Sequence, residues 1–177
     1  MGQRPPRDIT DDEKHKFWSD GVVCLRQMFD VDRIDRMLGA VDAAIAHPGP
    51  MKLDLGQGLA GTFHGDSFVC RRFQPKSFTG DDRYGDSMEP MPDIEAERDR
   101  HRFVTYETEP GDCIVHHGLT IHSAPGNAST DIRRRALATR FCGDDCTYRP
   151  EGSFQPLIRD PGIPSGAPLE CELFPRV

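Results

Sequence analysis

Between His101 and Gly143 the chain sets four short apolar runs, HRFVTY, CIVHH, LTIH and RRRALATRFCG, between breaks rich in glycine, proline and asparagine. Runs of this length read as strands, since a helix needs more residues to bury a stripe. Short strands joined by glycine-rich turns point to an antiparallel barrel or jelly roll. Seventeen glycines and fifteen prolines in 177 residues argue the same way, against a helical bundle. The expected fold is mainly β.

The N-terminal part differs. Thr10 to Glu13 reads T-D-D-E, a capping box that opens a short helix through Phe17 and Trp18 and ends at Asp20-Gly21. VVCLRQMF, residues 22–29, reads as a strand. Asp30 caps a second helix, in which Ile34, Met37, Leu38, Val41 and Ile45 form an apolar stripe with the character of plain core. HPGP at 47–50 stops it. A strand is expected around Thr62 to Val69, followed by a stretch over 74–100 whose turn formers and charges read as a long loop, of a length usual for functional lids or disordered segments. From Arg149 onward six prolines fall in 29 residues, giving an extended strap or a disordered tail. The expected organisation is one domain over 1–177: helix-strand-helix to residue 48, a β core over 51–148, and the proline-rich tail 149–177.

Net charge is −7, which speaks against a general nucleic-acid binder, because such proteins need a basic face to displace counterions. No apolar run approaches the roughly 20 residues of a membrane helix. MGQRPPRDITDDEKH has no apolar segment of a secretory signal, so a cytoplasmic location is expected. Six scattered cysteines without a CxxC pair are then expected as free thiols. Cys142 and Cys146 can be read as two legs of a zinc site, or as small buried hydrophobes.

HHGLTIHSAPGNASTDIRRR, residues 116–135, places three histidines and three arginines inside twenty residues of an acidic chain. A lone strand histidine is more often a hydrogen-bonded structural residue than a ligand, and each of His116, His117 and His122 carries that reading. HExxH is absent. A 2-His-1-carboxylate site of non-haem Fe(II) oxygenases needs an H-x-D or H-x-E pair on one strand, where residues i and i+2 share a face, and a distant histidine. The chain contains His64-Gly65-Asp66, with His122 lying 58 residues beyond His64. Arg133 follows eleven residues after His122, past the SAPGN turn, at the start of the next expected strand. Strand alternation there puts Arg133, Arg135, Leu137 and Thr139 on one face. A 2-oxoglutarate co-substrate needs a cation for its far carboxylate, and an arginine turned into a barrel needs an anion.

PGDCIVHHGLTIHSAPGN followed by RRRALATRFCGDD resembles the C-terminal signature of the phytanoyl-CoA dioxygenase family, Fe(II)- and 2-oxoglutarate-dependent oxygenases. FWSDGVVCLRQMFDVDRIDRML is similar to the family's opening helix-strand-helix. The resemblance covers residues 10–46 and 75–150. It implies a double-stranded β-helix, the cupin-like jelly roll, with His122 as the distal iron ligand and Arg133 holding the 2-oxoglutarate carboxylate. It also implies hydroxylation of a small-molecule or acyl substrate by O2, with release of succinate and CO2. A carboxylate at Asp66 fits hydroxylation; halogenating relatives carry a small residue at that place. His116 and His117 are packed strand residues, line the substrate site or orient a metal ligand, and Asn127 fixes the SAPGN turn.

The middle of the chain departs from the family pattern. KSFTGDDRYGDSMEPMPDIEA resembles the family's variable loop, but the "NG" turn and "PGSH" segment that usually precede it are missing. LAGTFHGDSFVCRR resembles a region upstream of the usual H-x-D. Two readings stay open. Either His64 and Asp66 complete the iron site, or the usual ligand segment and several strands are absent. On the second reading the chain is an inactive, incomplete jelly roll that binds an anion or a partner. A zinc-stabilised module on Cys142 and Cys146 is a third.

Overall fold

The computed structural model describes residues 4–48, 93–123, 129–131, 135–150 and 159–177, together with the backbone of 66–72. Two compact units divide these residues, one reaching to Ala136 and the other beginning at Leu137.

In the first unit, helix α1 (Asp11–Asp20) begins with the capping box read from sequence. Thr10 Oγ1 accepts from the Glu13 backbone N–H at 3.2 Å, and Glu13 Oε2 accepts from the Thr10 N–H at 2.8 Å. Arg7 clamps the same carboxylate through both oxygens, at 2.5 and 2.9 Å. Gly21 ends the helix with φ at 76°, the left-handed turn that glycine adopts without steric cost. Strand β1 (Val22–Leu25) follows, and all four of its residues are buried. Val23, Leu25 and Met28 form the core, with Phe17, Phe29 and Cys113 packed against them. Helix α2 (Val31–Ala46) starts at Asp30, whose side chain accepts from the Arg33 N–H at 2.9 Å.

Four more strands follow: β2 (Asp66–Arg72), β3 (Phe103–Tyr106), β4 (Cys113–His116) and β5 (Thr120–Ser123). All described pairings are antiparallel. β1 pairs with β4, and a three-stranded sheet runs in the order β3-β2-β5. The mainly β character with N-terminal helices holds in these small sheets, and the strand expected at 62–69 falls at 66–72.

Two expectations are corrected. The stripe of α2 is not core: no residue of the helix is buried, Ile45 is 59% exposed and Val31 70%. Among the described residues no strand packs extensively along this helix, whose partners include Gly111, reached by Ile34, and Arg135, paired with Asp42. Periodicity specifies a face but not what covers it. The strand expected from Arg133 to Gly143 is not formed over 135–143, where Leu137 is 59% and Phe141 76% exposed. Without a pairing strand among the described residues, alternation there assigns no faces.

The second unit is loop-rich. Thr147 bridges Pro168, flanked by hydrogen bonds from Leu169 N–H to the Cys146 carbonyl and from Tyr148 N–H to the Ala167 carbonyl, at 2.9 and 2.8 Å. The described part of the proline-rich tail is thus tied back by single bridges instead of a ladder.

Candidate functional site

The PGD turn sets the histidine hairpin. Gly111 takes φ of 99°, and a Cβ there would lie 2.9 Å from the Phe29 carbonyl oxygen. The Gly111 carbonyl accepts from the Met28 and Phe29 N–H groups at 2.8 and 3.1 Å, tying the turn to the end of β1. Asp112, its side chain 3% exposed, accepts from the backbone N–H of Gln27 and of Glu109, each at 3.0 Å, and from Arg26 at 2.6 Å. Burial opposes ionisation of Asp112, but the two N–H groups and the guanidinium outweigh it and hold the carboxyl below its usual range. β4 therefore starts from a fixed point.

β4 ends at His116, and the chain turns through His117-Gly118-Leu119 into β5. The turn is pinned to the C-terminus of α1. The Gly21 carbonyl accepts from the His117 N–H at 2.8 Å and from Thr120 Oγ1 at 3.0 Å. Thr120 is 3% exposed, and a Cβ on Gly21 would sit 2.6 Å from its hydroxyl. Sequence reasoning passed over Thr120 and Asp112. A threonine at a strand start carries no signal of burial.

The three histidines then differ in chemistry. His117 Nδ1 accepts from the Leu119 N–H at 3.1 Å, which spends that lone pair inside the turn. His122 Nδ1 lies 3.1 Å from the Thr120 carbonyl oxygen, which only accepts, so this contact calls for a proton on Nδ1. A backbone carbonyl on one ring nitrogen is the usual support of a metal-binding imidazole. The His116 ring, from β4, lies 4.3 Å from the His122 ring, centroid to centroid.

His122 stands opposite Phe68 in the pairing of β5 with β2. Asp66 begins β2, opposite Tyr106 of β3. His64 and Arg133 lie outside the described residues. Of the arginine run, Arg135 pairs with Asp42 of α2 at 3.2 Å. Among the described residues no three His, Cys, Asp or Glu side chains converge on a common point for a metal. A shallow depression of about 360 Å³ beside α1, lined by Glu13, Lys16, Arg26 and Tyr106 among others, includes none of these histidines.

Comparison with known families gives one match, over part of the chain. Residues 69–136 match the model of the phytanoyl-CoA dioxygenase (PhyH) family. The resemblance read from the sequence is borne out over that segment, which is less than half of the chain. A phytanoyl-CoA dioxygenase match points to Fe(II)/2-oxoglutarate oxygenase-type chemistry. His122 and Arg133 fall inside the match, while His64 and Asp66 precede it. No curated protein and no solved structure was found to match the chain. Among the described residues no helix is long and apolar enough to cross a membrane.

Proposed function

We propose that this protein is an Fe(II)- and 2-oxoglutarate-dependent dioxygenase that hydroxylates a small-molecule or acyl substrate, releasing succinate and CO2. The observation that carries the reading is the register of β2 against β5. With Phe68 opposite His122, position 66 lies two residues along β2 and so belongs to the same face of the sheet. His64 is two residues further back in sequence and completes the H-x-D pair.

The donor set of two imidazoles and one carboxylate suits Fe(II). His122 binds through Nε2, held by the Thr120 carbonyl on its other nitrogen, and His64 and Asp66 supply the remaining protein ligands. Arg133 takes the far carboxylate of 2-oxoglutarate by a bidentate, charge-assisted contact. The bound metal and co-substrate supply the activation of O2. The double-stranded β-helix of the family is the fold in which we place these residues.

The test is anaerobic titration of the metal-free protein with Fe(II) and 2-oxoglutarate, followed by the visible metal-to-co-substrate charge-transfer absorption. A band lost in both His122→Ala and Asp66→Ala supports the site as proposed. Loss in His122→Ala alone moves the carboxylate ligand elsewhere. No band in well-folded protein leaves an anion- or partner-binding jelly-roll remnant and ends the oxygenase reading.

A further inference from the structure

Helix α2 carries two apolar rows, and the fold covers only one of them in part. Ile34, Met37 and Val41 are half-buried, with Ile34 against Gly111. Val31, Leu38 and Ile45 are exposed, and they recur at intervals of seven residues. A straight helix drifts by about 20° over seven residues, so the three form one row along its length. Asp35 and Asp42 run beside that row, each four residues beyond a member of it. Arg135 sits on Asp42 at 3.2 Å, whereas Asp35 is exposed and makes no ion pair among the described residues.

We infer that the exposed row is the contact between two copies of this chain, whose α2 helices pack antiparallel across a two-fold axis at Leu38. The row is its own complement. Val31 and Ile45 lie seven residues to either side of Leu38, so on a reversed partner Val31 meets the partner's Ile45 and Leu38 meets the partner's Leu38. The charges select this occupant and this direction. An antiparallel two-fold keeps the carboxylate side of both rows on one side of the pair, so Asp35 falls opposite the partner's Asp42. Alone, the two carboxylates would repel. Asp42 arrives with Arg135 already bound, and that guanidinium then lies between two carboxylates at each end of the contact. A parallel pair would instead set each Asp35 against the Ile34 and Val41 side of its partner, where a carboxylate loses water and gains no cation. Three apolar side chains and one shared arginine at each end make a small interface, so the dissociation constant is expected at about 100 µM.

Sedimentation equilibrium of the full chain over about 5 to 500 µM tests this. A reductant is present, so that the exposed Cys142 forms no crosslink. The average mass should rise from the 19.8 kDa of the monomer toward twice that value. Leu38→Glu sets two carboxylates on the axis and should raise the dissociation constant by about tenfold or more. Arg135→Gln leaves Asp35 facing the partner's Asp42 and should weaken association by about fivefold, a loss that shrinks as salt screens the carboxylates. Ile45→Ser should weaken association while leaving the unfolding midpoint of dilute protein in place, which separates the dimer from the fold. Ala43→Ser, on the opposite side of the helix, should change nothing. Wild type that stays monomeric at the highest concentration overturns the inference, as does an association that Leu38→Glu leaves intact or that Ala43→Ser weakens as much.

Discussion

The imidazole of His116 lies against that of His122 with centroids 4.3 Å apart and planes tilted by 44°. The two residues belong to different sheets, His116 paired with Val22 and His122 with Phe68. The contact joins the strand that ends the PGD hairpin arm to the strand of the expected ligand.

Because His116 packs on the ring of an intended ligand, its removal should loosen that ring without removing a donor. His116→Ala is expected to weaken Fe(II) binding by about tenfold, the lower end of effects from groups supporting a ligand. His117→Ala should leave binding unchanged to within about twofold, since its Nδ1 serves the Leu119 N–H. Anaerobic titration of both variants checks this, and equal losses would show that the hairpin as a whole, not the ring contact, sets the affinity.

Gly21 and Thr120 form the second relationship. Gly21→Ala imposes a side chain at φ of 76° and aims its Cβ at a hydroxyl 2.6 Å away. The left-handed backbone alone costs about 1–2 kcal/mol. Thr120→Val keeps the shape and loses the bond to the Gly21 carbonyl, for about 1 kcal/mol. The two changes should combine less than additively, because Gly21→Ala already displaces the hydroxyl. Urea midpoints of the single and double variants decide it.

Acid should unfold the first unit through its carboxylates. The Arg7 guanidinium, the Thr10 N–H and the Thr10 hydroxyl bring Glu13 down to about 2 from 4.5, against an opposing effect of burial. Asp112 is also lowered. A folded-state value below the unfolded one gives stability that is fully present above pH 4.5 and lost as pH falls through about 2. Thermal midpoints should therefore decline across that window, and less steeply in Glu13→Gln. A parallel decline in wild type and variant would exclude Glu13 as a source.

Asp112→Ala removes the acceptor for two backbone N–H groups and for Arg26. The expected loss is about 2 kcal/mol, from hydrogen bonds to a charged group. Ile45→Ser, at a position 59% exposed, should instead stay within about 0.5 kcal/mol. Chemical denaturation measures both. A large cost at Ile45 would mean that the apolar face of α2 is covered in solution.

What the sequence displayed and what it hid divide along range of interaction. The capping box at Thr10 and Glu13, the glycine stop at Gly21, the cap at Asp30 and the strand character of β1, β3, β4 and β5 were legible because neighbouring residues decide them. The candidate site was legible as residue types: His122 and Arg133 by resemblance, His64 and Asp66 by spacing. Whether the α2 stripe is covered was not legible, since periodicity says nothing of a partner. The strand expected beyond Arg133 failed for the same reason: a strand exists only with a neighbour to bond.

The sequence by itself determined the local elements and the family signature around His122, both set by residues close together in the chain. Tertiary structure alone decided that Gly21 holds Thr120, 99 positions away, and that Phe68 faces His122. It also decided that Asp112 anchors the turn to β1. Those contacts depend on which backbone donors and acceptors meet after the chain folds back, and buried polar groups must meet someone.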